Sequence, residues 1–91
     1  MRVKLRYLGL VRSRLGKQEE EMELKEGAFL SELLGKLTEI YGETLRTLLG
    51  SDKESRLDPS IVITVNGISR TTDLRLHEGD RVAIMSLISG G

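Results

Sequence analysis

One long stretch of this chain carries the three-and-four spacing of apolar residues that lets a helix bury a face, and strand-like patterns flank it on both sides. Between Phe29 and Leu49 the residues Leu30, Leu33, Leu34, Leu37, Ile40, Leu45, Leu48 and Leu49 recur at that spacing. Gly42 follows "EIY" and suits a helix C-cap, so the main helix is expected to stop there, with "ETLRTLL" forming a second short helix or turn. Gly35 inside the helix costs about 1 kcal/mol relative to alanine and is read as marking a close approach to the sheet.

Ahead of the helix, "MRVKLRY" places Met1, Val3, Leu5 and Tyr7 on one face and Arg2, Lys4 and Arg6 on the other, the period of a half-buried strand. After a turn within "GLVRSRLGK", "QEEEMELK" has Met22 and Leu24 as apolar alternates opposite Glu19, Glu21 and Glu23. Folded back as a hairpin, the acidic row lies beside the basic row, which favours the pairing by a few tenths of a kcal/mol per pair. That face is a solvated, mutually satisfied surface or a charged docking surface.

Behind the helix, "GSDKESRLDPS" holds the only proline and reads as a surface loop, the best candidate for a flexible segment. "IVITVNG" is a β-branched run ending in Asn-Gly, a central strand entering a tight turn. "DLRLHEGD" is expected to supply a short edge segment, and "RVAIMSLI" a last strand with Val82 and Ile84 inward. The order hairpin, helix, loop and three strands points to an α+β domain whose mixed sheet wraps around one main helix. In such a sheet the first and last strands can pair in parallel at the centre.

Composition narrows the function. At 91 residues and 38% hydrophobic content the chain is one small domain. With one Phe, two Tyr and no Trp, its core is expected to be aliphatic, without a large aromatic anchor. Fourteen basic and fourteen acidic side chains cancel, which argues against nonspecific binding to nucleic acid or anionic lipid. No cysteine is present, so thiolate chemistry, disulfides and cysteine metal sites are excluded. The N-terminal segment lacks the apolar run of a signal peptide or membrane span, and a cytoplasmic protein is expected.

Catalytic signatures are missing as well. His77 has no partner at a recognisable metal spacing and reads as an ordinary surface histidine, and no glycine-rich loop precedes a helix. What remains is the ending, "MSLISGG". Gly90 and Gly91 lack Cβ atoms and can thread a channel too narrow for other residues. The reactive group there is the α-carboxylate of Gly91, ionised at neutral pH and a poor electrophile until a partner activates it. Adenylation by ATP does this, after which sulfide, a thiol or an amine can attack. Residues 1–87 would then be the handle, and 88–91 a flexible diglycine tail that serves as the substrate.

The motifs "VNG", "EGDRVAI" and the terminal "SGG", with Gly27 and "SELL" at the helix start and Leu57 before the buried strand, resemble the MoaD/ThiS-like small sulfur-carrier family. That family includes the small subunit of molybdopterin synthase, the thiamine-pathway carrier and the archaeal ubiquitin-like small modifiers. The likeness spans essentially the whole chain. It implies a ubiquitin-like β-grasp fold and a non-catalytic carrier activated by an E1-like adenylating enzyme. It further implies a thiocarboxylate on Gly91, with ATP used by the activating partner and no cofactor bound by this chain.

Within that family the molybdopterin branch commonly carries a Pro-Pro pair where this chain has Ser86-Leu87, and the thiamine branch usually lacks the "ETLRTLLGSDKESRLDPS" region. Length and the "VNG" context favour the molybdopterin branch, with the synthase large subunit as partner. The alternatives are a protein modifier joined to target lysines, a thiamine or tRNA sulfur carrier, and an interaction module in which the diglycine is incidental. If Val82 and Ile84 face the helix, Met85 and Leu87 lie outward as docking residues or as ordinary surface hydrophobes. The resemblance supports Met85, which matches an exposed aromatic at the partner interface of the molybdopterin branch. Ile88, Ser89 and Ile68 complete the candidate docking set.

Overall fold

The computed structural model describes residues 1–50 and 58–87, which form five strands and three helices in one folded unit. Strand β1 (Arg2–Leu8) leads through helix α1 (Leu10–Leu15) to β2 (Glu19–Glu23). Helices α2 (Leu30–Tyr41) and α3 (Glu43–Leu49) follow, and then β3 (Ile61–Val65), β4 (Ile68–Ser69) and β5 (Arg81–Ser86). The sheet order is β2-β1-β5-β3-β4, with β1 and β5 parallel and the other neighbours antiparallel. The expected parallel pairing of the first and last strands is present.

The alternation in the sequence becomes the two faces of this sheet. Val3, Leu5 and Tyr7 of β1, Met22 of β2, Ile61, Ile63 and Val65 of β3, and Val82 and Ile84 of β5 are buried in one core with Leu30, Leu33, Leu34 and Leu37 of α2. Full burial of each such aliphatic side chain is worth about 1.5–3 kcal/mol. On the other face Arg2, Lys4 and Arg6 stand opposite Glu23, Glu21 and Glu19. Arg2 approaches Glu21 at 3.8 Å and Arg6 approaches Glu19 at 3.9 Å; as exposed pairs these contribute at most about 1 kcal/mol each. Asn66 and Gly67, at φ 54 and φ 84, make the tight turn from β3 into β4.

Several expectations are corrected. The link between β1 and β2 is a helix rather than a simple turn, because Val11 buries completely and Leu15 packs on the core. Tyr7 is 0% exposed and is the largest fully buried side chain, so the core does contain an aromatic anchor. Gly35 has open space where a Cβ would project, and marks no close approach. Ile40 is exposed because Tyr41, four residues after Leu37, takes the inward position at the end of α2.

The expected edge segment in "DLRLHEGD" is not a sheet strand; β4 is Ile68–Ser69 instead. Arg75 bridges Phe29 at the start of α2, and Leu76 buries beneath it, its N–H donating to the Ala28 carbonyl at 2.8 Å. The expected stop at Gly42 and the second helix are both present. The loop read as flexible lies, for residues 51–57, outside the described residues; so does Leu57. No helix among the described residues is long and apolar enough to cross a membrane.

Candidate functional site

Parallel pairing brings the C-terminal ends of β1 and β5 to the same edge of the domain. Met85 sits between Leu8 and Val62, its register partners on β1 and β3. All three are half-buried and form an apolar row across the outer face of the sheet. Leu87, 68% exposed, extends it. The strand is held to its end, since the Leu87 N–H donates to the Ser60 carbonyl at 2.7 Å. On the other side the chain turns out of β1 through Gly9, at φ 64 and ψ −136, where an added Cβ would meet the Ser86 carbonyl oxygen at 2.9 Å.

Met85 and Leu87 are therefore together on the outer face as expected. Ile68 is not with them: it is 56% exposed but pairs with Val65, three residues along β3 from Val62, or about 10 Å at strand rise. Gly91, Gly90, Ser89 and Ile88 lie outside the described residues.

The same end of the domain holds a polar cluster that sequence reading missed. Glu20 sits on the core side of β2, opposite Leu5. Its Oε2 accepts hydrogen bonds from the hydroxyls of Tyr7 and of Tyr41, the latter at 2.5 Å. Lys17 approaches Oε1 at 3.6 Å. Partial burial pushes the Glu20 carboxyl up, but the two phenols and Lys17 outweigh it and hold the group below the usual carboxylate range. Burial, and then the neighbouring carboxylate, push the Tyr7 hydroxyl well above the usual tyrosine range. The two phenols share one carboxylate oxygen, and the cluster ties β1 and β2 to the end of α2. The available signal was the tyrosine at position 7 on an inward face, which needs a hydrogen-bond acceptor.

His77 is exposed, as read from the sequence, and lies 3.9 Å from Asp80. No group of three or more metal-ligating side chains assembles among the described residues. What the described residues present is a β-grasp domain with an apolar row beside the exit of its last strand.

That architecture defines a class, the ubiquitin-like β-grasp proteins, and the solved structures agree. SAMP1 from Haloferax volcanii superposes with a TM-score of 0.86 at 16% identity, over 100% of both chains. A putative molybdopterin converting factor subunit 1 from Pyrococcus furiosus gives 0.76 at 28% identity, over 97% of this chain and 99% of that one. A complex of subunits 1 and 2 of the molybdopterin-converting factor from Helicobacter pylori contains a chain that matches at 0.66 and 22% identity, over 100% of both. No curated protein matches the sequence. The ThiS family model matches residues 5–91, and the chain belongs to that family of small ubiquitin-like sulfur carriers and modifiers. Its members are carriers rather than catalysts.

Proposed function

We propose that this protein is a sulfur carrier whose C-terminal Gly91 is converted to a thiocarboxylate, and that it serves as the small subunit of a molybdopterin synthase in molybdenum-cofactor biosynthesis. The observation that carries the reading is the family match running through Gly91, together with the apolar row at Leu8, Val62 and Met85 beside the strand that leads there. The relative from Pyrococcus furiosus at 28% identity supports the molybdopterin branch, and the Helicobacter pylori complex supports a second subunit as partner.

In the proposed reaction, an E1-like enzyme directs the Gly91 carboxylate oxygen onto the α-phosphorus of ATP, releasing pyrophosphate. Hydrosulfide then attacks the acyl carbon, displaces AMP and gives up its proton to solvent. The product, C(=O)S⁻, stores sulfur on the carbonyl of a chain that has no thiol of its own. The domain docks through Met85, Leu87 and the residues that follow, Ile88 and Ser89. The large subunit supplies the catalytic groups.

Appending one alanine after Gly91 tests the reading. The extended protein should fold normally and fail to restore cofactor synthesis in cells lacking the wild-type gene. Restoration by an extended chain that mass spectrometry shows to be untrimmed would overturn it. Covalent adducts on target lysines would assign the same activated carboxylate to protein modification instead, and restoration of thiamine or tRNA thiolation alone would redirect the sulfur.

A further inference from the structure

The outer face of the sheet carries four cations on its two central strands, and they are not equivalent. Arg2 and Arg6 each have a glutamate of β2 within 4 Å. Lys4 of β1 and Arg81 of β5 are direct register partners, both exposed, and neither side chain has an ion pair or hydrogen bond among the described residues. Glu21, the carboxylate across from Lys4, is engaged by Arg2. Like charges directly opposite in a sheet are destabilising. Here such a pair stands at the start of β5, where a neutral residue on either strand would relieve it.

The surroundings form a shallow trough. The next outward-facing position on β5 is Ala83, flanked by Arg6 on β1 and Thr64 on β3. The depression lined by Lys4, Arg6, Arg81 and Leu8 is also lined by Glu19, Glu20 and Glu21 of β2, each already engaged: Glu19 by Arg6, Glu20 by Tyr7 and Tyr41, and Glu21 by Arg2. It runs from the cation pair to Leu8, the β1 member of the apolar row. Arg81 and Met85 are four residues apart along β5, about 13 Å. A partner footprint of about 800 Å² per side spans that distance with ease.

We infer that Lys4 and Arg81 form the electrostatic half of the docking surface, and that they receive a carboxylate-bearing segment of the enzyme that activates the C-terminus, while the row at Met85 receives its apolar part. This rests on the proposed adenylation of Gly91, the step that sulfur carriage and protein modification share. The chain is neutral overall, with few aromatics, so a partner's carboxylates are a better match to two isolated cations than a nucleic-acid backbone, which needs a broad positive field.

The test is ATP–pyrophosphate exchange by the E1-like adenylating enzyme of the same cell, with wild type, Lys4→Gln/Arg81→Gln and Lys4→Glu/Arg81→Glu as substrates. The neutral double variant should keep or raise the thermal midpoint, since a repulsion is removed, while its KM rises about tenfold at unchanged kcat. The charge-reversed variant should be weaker still. Salt should raise the wild-type KM and leave that of the neutral variant nearly flat. An unchanged KM for both variants overturns the inference, as does loss of binding to a polyadenylate RNA probe with exchange kinetics intact. A wild-type chain that supports no exchange overturns instead the reading of Gly91 as an adenylated carboxylate.

Discussion

Gly9 and Ser86 meet where the first strand ends and the last strand leaves the domain: a Cβ on Gly9 would stand 2.9 Å from the Ser86 carbonyl oxygen. The contact is with backbone, so no rotamer change relieves it, and φ 64 is itself unfavourable for an L-residue. Gly9→Ala should lower stability by about 1–3 kcal/mol, read as a reduced denaturant midpoint at unchanged slope. Hydrogen exchange should show the Leu87 amide, bonded to Ser60, losing protection before the amides of β1. Wild-type stability in the variant would mean that the turn out of β1 does not hold the exit strand.

The Glu20 cluster sets the response to pH. Its carboxyl is held below its ordinary range in the fold, so its contribution is complete above the unfolded-state value of about 4.3 and is lost as pH falls through the lower folded value. Tyr7 acts in the opposite direction. Its folded value is raised, so its contribution is intact below about pH 10 and is lost as the solution becomes more alkaline. Thermal midpoints measured across pH should fall on both sides. Glu20→Gln should flatten the acid limb, and an acid limb of unchanged shape in that variant would place the sensitivity elsewhere.

Asn66 uses both halves of its amide. Its Oδ1 accepts from the Arg81 N–H and its Nδ2 donates to Asp80, each at 3.0 Å, while its φ of 54 shapes the turn. Asn66→Asp keeps the turn preference but sets a second carboxylate against Asp80. It should cost about 1 kcal/mol at neutral pH, or roughly 4–8 °C in the midpoint of a domain of this size. A midpoint equal to that of wild type in the variant would contradict the account.

Met85 should separate folding from docking. It is half-buried on the outer face between Leu8 and Val62, outside the core beneath the helices. Met85→Glu should change the midpoint little and weaken capture by the partner subunit by about 1–3 kcal/mol, roughly ten- to hundredfold, in isothermal titration. The matched change at Ile68, at the other end of β3, should leave affinity unchanged. Equal losses at both positions would show that the docking surface is wider than the row at Met85.

How much of this was legible follows from the range over which each signal acts. The alternation in Arg2–Leu8 fixed which residues face inward, and the near-neighbour charges of β1 and β2 fixed their pairing, because both are written every second residue. Helix α1 was hidden because six residues between two glycines are too few to show a period. The two-residue β4 was hidden for the same reason. Glu20 was invisible in a run of acids, since its inward position depends on tyrosines 13 residues before it and 21 after it. The apolar row was half legible: Met85 was readable from β5 alone, whereas Leu8 and Val62 join it only once the strand order is known.

The central claim concerns the carbonyl of Gly91, and mass spectrometry of the protein recovered from its own cells under denaturing conditions tests it most directly. Arg81 is the last tryptic site, so digestion releases Val82–Gly91 as "VAIMSLISGG". The account predicts a fraction of this peptide free and heavier by the exchange of one oxygen for sulfur, with that fraction rising when sulfur supply exceeds cofactor demand. A tail that carries only oxygen under sulfur-replete, stressed and resting conditions alike would contradict it.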